Sequence, residues 1–168
     1  GFTGTTGLVV NDNTLQNAYN SGVFLYRLKA PQATSNIITT TSAIAVFTGI
    51  YCEACSENAS ISANQVRLHG KRSTGIYYYL SNGTALLPAR IVNNYVIAGQ
   101  GASSYGLYTN NSNYVNVYHN TIRISGGDNT GTNVLRNLGG NINYLNNILD
   151  NQANGKTMQF NGTGTPLT

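Results

Sequence analysis

Apolar and polar residues alternate along this chain in short bursts. Residues 75–80, 91–98 and 114–124 carry period-two stretches of β-branched and aromatic side chains, and Gly, Asn or Ser breaks each stretch. Alternation of that kind, so punctuated, predicts short half-buried strands. A 3.6-residue period never survives three turns, and 17–20 hold too many asparagines to stay helical. The pattern predicts an all-β protein.

The bursts repeat. An apolar-x-x-Asn-x-apolar motif occurs as Val10-x-x-Asn13-x-Leu15, Ile61-x-x-Asn64-x-Val66, Ile91-x-x-Asn94-x-Val96, Val117-x-x-Asn120-x-Ile122 and Tyr144-x-x-Asn147-x-Leu149. A degenerate copy, Ile38-Thr39-Thr40-Thr41-Ser42-Ala43, fills the gap between the first two. From Asn64 the intervals are 30, 26 and 27 residues, a solenoid period. A second motif, Gly-apolar-aromatic, runs in phase: Gly22-Val23-Phe24, Gly49-Ile50-Tyr51, Gly75-Ile76-Tyr77 and Gly106-Leu107-Tyr108, with Asn133-Val134-Leu135 in fifth place.

Two motifs on one period describe a coil whose turns stack about 4.8 Å apart, each strand pairing with its equivalent one turn away. The repeated Asn fits a sharp corner, because Asn tolerates the left-handed backbone. Its amide can bond to the asparagines above and below, which makes Asn13, Asn64, Asn94, Asn120 and Asn147 a structural ladder. Ile61, Ile91 and Val117 before the corner, and Val66, Val96, Ile122 and Leu149 after it, are the expected core columns.

With its "Gly-Ile-Tyr … Ile-x-x-Asn-x-Val" text over roughly residues 8–152, the chain resembles the right-handed parallel β-helix family. The likeness is to the PbH1-type repeats of pectate-lyase-like and NosD-like proteins. The resemblance implies about six coils with three short parallel sheets. It implies one β-helix domain over 1–168, or a segment of a longer one, with a Gly/Thr-rich tail at 153–168. The Asn- and Tyr-rich composition resembles β-helical modules of large bacterial surface proteins. Neither end carries an amphipathic cap, which fits a segment of a longer protein or a chain that stacks end to end.

Composition narrows the function. Charged residues make up 8%, against about a quarter in ordinary globular chains. The hydrophobic fraction of 40% speaks against disorder. The net charge of +4 comes from few acids, and its scattered bases, Lys71-Arg72 apart, make no nucleic-acid stripe. No run approaches the roughly 18 apolar residues of a membrane span. With 25 Asn and 12 Tyr, the composition points to an extracellular or cell-surface protein.

Asp12, Glu53, Glu57, Asp128 and Asp150 fall in different coils, so neither a glycosidase carboxylate pair nor a calcium cage is expected. Cys52-Glu53-Ala54-Cys55 lacks the further ligands of a zinc site. It reads as a local disulfide in a turn, or as one buried and one exposed thiol. No metal and no cofactor is expected.

Two outward columns carry candidate chemistry. Phe24, Tyr51, Tyr77 and Tyr108, with Leu135 after them, form an exposed aromatic strip about 14 to 19 Å long, and Tyr26 and Tyr79 add a second column. Such a strip serves as a structural ladder, as a contact for neighbouring domains or copies in a larger surface protein, or as a polysaccharide-binding row. The alternative is a lyase or hydrolase fragment acting on acidic polysaccharide. In it Arg67 and Arg123, about 10 Å apart, neutralise a carboxylate while Tyr118 or His119 acts as base. The preferred expectation is a non-enzymatic structural or adhesion module whose strip contacts glycan or protein.

Overall fold

The computed structural model describes residues 5–41, 46–70, 72–99, 101, 103–126 and 131–161. Ser42, Ala43, Lys71 and Asp128 lie outside the described residues. The chain repeats a three-strand circuit six times. The first circuit is β1 (Val9–Asn11), β2 (Thr14–Gln16) and β3 (Ser21–Tyr26). The second is β4 (Gln32–Thr34), β5 (Ile37–Thr40) and β6 (Phe47–Glu53), and the third is β7 (Ser60–Ser62), β8 (Gln65–Leu68) and β9 (Ser73–Tyr79). Next come β10 (Ala89–Val92), β11 (Tyr95–Ala98) and the first half of β12 (Tyr105–Tyr118). The second half of β12, β13 (Thr121–Ile124) and the first half of β14 (Asn133–Leu145) make the fifth circuit. The second half of β14, β15 (Ile148–Asn151) and β16 (Lys156–Phe160) make the sixth.

Every pairing is parallel and joins equivalent strands of neighbouring circuits. The result is a parallel β-solenoid of five to six turns, with no helix among the described residues. Its three faces belong to two hydrogen-bonded sheets rather than three. β2, β5, β8, β11, β13 and β15 form one sheet; the other faces merge because β12 and β14 run through a corner without a break. β16 pairs with β14, so the solenoid continues past residue 152.

The corner between the first two faces explains the asparagines. The residue before each ladder position is left-handed: Asp12, Ser35, Ala63, Asn93, His119 and Asn146 have φ of 56, 55, 55, 55, 56 and 52°. The sharp turn thus falls one residue ahead of the repeated Asn, not on it as its conformational preference suggested. That turn leaves the Asn side chain pointing along the stack inside the corner. From Asn13 to Asn120, each ladder Asn directs its backbone N–H and its amide N–H to the Oδ1 of the Asn in the next coil, as Asn64 does to Asn94 at 3.0 and 2.9 Å. Its second amide hydrogen goes to a carbonyl of the preceding coil, that of Ala33 for Asn64 and Ile61 for Asn94. Buried polar groups are tolerated when their bonds are made, and here they are. The ladder has a sixth rung, Asn36, which joins Asn13 to Asn64. The true second copy is therefore Ala33-x-x-Asn36-x-Ile38, and Ile38 and Thr39 belong to β5. A small apolar residue in the leading position hid it.

The other two corners carry shorter polar ladders. Cys55 N–H donates to Ser81 Oγ at 3.0 Å, and Ser81 N–H to Ser112 Oγ at 3.2 Å. Ser73 N–H donates to Ser104 Oγ at 3.2 Å. Between these corners lies the core: Ile38, Val66, Val96 and Ile122 on one wall, Ile61, Ile91 and Val117 on the second, Val23, Ile50, Ile76 and Leu107 on the third. Beside the third wall runs a column of glycines. A Cβ on Gly49, Gly75 or Gly106 would lie 2.2 to 2.3 Å from a methyl of Val66, Val96 or Ile122. These glycines let two walls close around β-branched side chains.

Candidate functional site

The face formed by β3, β6, β9, the first half of β12 and the first half of β14 carries the aromatic row. In each strand the Gly-apolar pair turns inward and the next side chain turns out. Register then places Phe24, Tyr51, Tyr77 and Tyr108 in one column. Their rings stack at centroid separations of 5.0, 5.0 and 4.8 Å, with interplanar angles of 30, 14 and 17°. Tyr26, Tyr79 and Tyr105 broaden the row, at 5.8 Å from Phe24, 5.5 Å from Tyr77 and 5.0 Å from Tyr108. The rings spend their faces on one another. Edges and hydroxyls are what the half-buried tyrosines turn to solvent.

The row ends on a residue that sequence alignment of the motifs missed. Leu135 pairs with Leu107 and is buried; the residue that continues the outward column is Arg136. The fifth copy reads Val134-Leu135-Arg136, one place later than the Gly-apolar-aromatic spacing indicates. With neither glycine nor aromatic ring to anchor it, nothing in the text fixed its register. The Arg136 guanidinium lies over Tyr108 at 5.0 Å and Tyr105 at 5.4 Å, and Nη1 donates to the Tyr105 hydroxyl at 2.8 Å. Among the described residues no carboxylate pairs with it. Asn110 Nδ2 donates to the Tyr77 hydroxyl at 3.2 Å. With a lone pair so occupied, the Tyr77 and Tyr105 hydroxyls keep their protons free to donate outward.

Glu53 stands between Tyr26 and Tyr79 in the second column, beside Tyr51, whose hydroxyl feels its negative charge. The row therefore has an acidic side in the second coil and a cationic end in the fifth. Burial, and then Glu53, push the Tyr51 hydroxyl pKa well up. Burial also raises those of Tyr77 and Tyr108, with Asn110 and Arg136 respectively opposing it.

The residues of the alternative reading are spread apart. Arg67 and Arg123 share an outward column with Thr39, Ile97 and Asp150 on the β2–β15 sheet. Arg67 lies over Tyr95 at 5.2 Å, and Arg123 is paired with Asp150 at 3.3 Å. Tyr118 ends β12 on a different face, and His119 forms the exposed left-handed corner after it, 6.5 Å from Tyr118 ring to ring. No hydrogen bond or ring contact joins either arginine to Tyr118 or His119 among the described residues. Glu57 is bound to Lys29 at 2.8 Å. Cys52 and Cys55 are both buried and both free, which matches neither sequence expectation for the pair. Among the described residues no three His, Cys, Asp or Glu side chains cluster to hold a metal, and no helix is long and apolar enough to cross a membrane.

Tyr78 differs from its neighbours in the row. It points into the core, 1% exposed, and its hydroxyl has no hydrogen-bond partner. Removing an unpaired buried hydroxyl should help: Tyr78→Phe is expected to stabilise the fold by about 1 kcal/mol in urea melts. A net loss of stability would mean that the hydroxyl is bonded. Burial also holds the Tyr78 pKa well above its usual value. Above about pH 10 the unfolded chain then releases this proton while the folded chain keeps it, so stability falls as pH rises. The Phe variant should lose less stability between pH 9 and about 11 than the parent chain.

Compared with models of protein families, with curated proteins and with solved structures, the chain matches none.

Proposed function

We propose that the chain is a rigid module of an extracellular or cell-surface protein that adheres to polysaccharide through the row Phe24–Tyr51–Tyr77–Tyr108–Arg136. We also assign its coils to the PbH1 type found in pectate-lyase-like and NosD-like proteins. The observation that carries the reading is the unbroken outward row with rungs 4.8 to 5.0 Å apart. That spacing is close to the length of one sugar residue in an extended polymer, so successive rungs meet successive sugars. Because the ring faces are spent on stacking, recognition runs through hydroxyl and ring edge, with Tyr77 and Tyr105 donating to sugar oxygens. Arg136 favours polymers that carry acid groups, since a guanidinium held over two rings and bonded to the Tyr105 hydroxyl is a fixed donor for a carboxylate.

The test is affinity electrophoresis in gels containing neutral or acidic polysaccharides. The parent chain is expected to be retarded by at least one polymer. Tyr51→Ala/Tyr77→Ala should weaken that retardation at least tenfold while circular dichroism still reports a β-protein. Arg136→Ala should weaken retardation by acidic polymers and leave that by neutral ones unchanged. If no polymer retards the parent chain, the row is a structural ladder or a contact for a neighbouring domain, and the glycan reading is wrong.

A further inference from the structure

Cys52 and Cys55 occupy the corner at the end of β6. Cys52 faces the core in the column Leu25–Cys52–Tyr78–Thr109–Asn137. Glu53 then turns outward, and Ala54 is left-handed with φ of 52°. The reversal turns Cys55 inward again, so both thiols end inside one bend, at 0 and 2% exposure. Both approach the same hydroxyl: Cys52 Sγ lies 3.8 Å from Ser81 Oγ, and Cys55 N–H donates to that Oγ at 3.0 Å.

Cys55 has a structural post of its own. Its sulfur donates to the Leu25 and Glu53 carbonyls at 3.5 and 3.6 Å, as Ser81 Oγ does to those of Cys52 and Tyr79 and Ser112 Oγ to those of Tyr78 and Asn110. It is the rung of a hydroxyl ladder written in sulfur. A serine would serve that post as well in coil two as it does in the next two coils. Cys52 meanwhile replaces the leucine, tyrosine, threonine or asparagine of the other coils in its column. The only two cysteines of the chain thus fall in adjacent inward places of a single bend.

From this placement we infer that the Cys52–Cys55 pair is an oxidation site, which a small-molecule disulfide of the glutathione type converts to an intramolecular disulfide across the bend. The inference is independent of the polysaccharide reading. The Cys55 thiolate attacks one sulfur of the reagent, whose S–S bond breaks and releases one thiol. Cys52, after losing its proton, attacks the Cys55 sulfur of the mixed disulfide and expels the second thiol. Two protons and two electrons leave the protein, and the reagent disulfide is reduced to two thiols. The order follows from the surroundings. The neighbouring Cys52 thiol lowers the Cys55 pKa, whereas burial raises that of Cys52. Burial of both sulfurs makes the reaction slow in the folded chain, and the bond resistant once made.

The fold holds the thiols together, so it must favour the disulfide over the unfolded chain. The test equilibrates the full chain in buffers of reduced and oxidised glutathione, approached from both the reduced and the oxidised side. Quenched samples are alkylated in denaturant and their intact masses counted for free thiols. One set is folded; the other is held unfolded in urea. The folded chain is expected to reach half-oxidation at a ratio of oxidised to reduced glutathione at least tenfold lower than the unfolded chain. Cys52→Ser and Cys55→Ser, each left with one thiol, should yield only the mixed glutathione adduct. Equal ratios for the two states, or a folded chain that needs more oxidant than the unfolded one, would overturn the inference.

Discussion

Asn94→Ala is expected to cost about 4 kcal/mol, because it strands two buried donors of Asn64 and the Ile61 carbonyl at about 1–3 kcal/mol each. For a chain of this length that lowers the melting temperature by on the order of 10 °C. The substitution also removes the amide bond to Asn120, so the side chain at this corner no longer ties coil four to coil three or to coil five. Asn13, the exposed first rung, makes the same kind of bond to Asn36, yet water can replace it. Asn13→Ala should therefore cost less than about 1 kcal/mol. Thermal and urea unfolding of the two variants measure the contrast. Equal losses at the two positions would mean that the ladder does not hold the coils together through buried amide bonds.

Gly75→Ala is expected to be about as damaging, at about 3 kcal/mol, for a different reason. The new Cβ would sit 2.2 Å from Val96 Cγ1 and 2.5 Å from the Gly106 carbonyl oxygen. The first clash can be relieved by trimming Val96. The second is against backbone one coil away, and it yields only if the coils separate. Adding Val96→Ala to Gly75→Ala should thus recover part of the loss, with a coupling of at least about 0.5 kcal/mol, but not all of it. Gly126→Ala makes the comparison: φ there is +70° and nothing lies within 4 Å of the added carbon. It should lose only about 1 kcal/mol, the cost of a left-handed alanine. Denaturant midpoints of these three variants and of Val96→Ala alone decide the matter. Full rescue by Val96→Ala would place the whole clash in the side chain.

The solenoid was legible because its register is written twice on one period, in the Asn corner and in the Gly-apolar-aromatic strand. Where either mark was missing, the reading slipped. Asn36 follows Ala33, which does not stand out as an apolar leading residue although the interior there needs only a small side chain, and Ala33 is fully buried. Arg136 was displaced by one position because Val134 fills the glycine place and an inward leucine looked like the outward residue. The left-handed turn could not be read at all: Asp, Ser, Ala, Asn and His take it in turn, so backbone geometry there is imposed by the coil and not by residue type. The aromatic column followed from alternation alone. Its polarity did not, because the Tyr105–Arg136 and Asn110–Tyr77 bonds join residues more than 30 positions apart.

The crosswise run of the strands has a mechanical consequence. A pull applied between the first and last coils acts along the stack, at right angles to every strand, and loads the ladders rung by rung. Asn13 and Asn147, the outermost rungs, yield first. Each coil that peels away frees the 23 to 30 residues between successive rungs, a slack of about 80 to 100 Å of extended chain. Under tension such a module lengthens in steps of nearly equal size and dissipates work at each one, whereas across the stack it stays stiff.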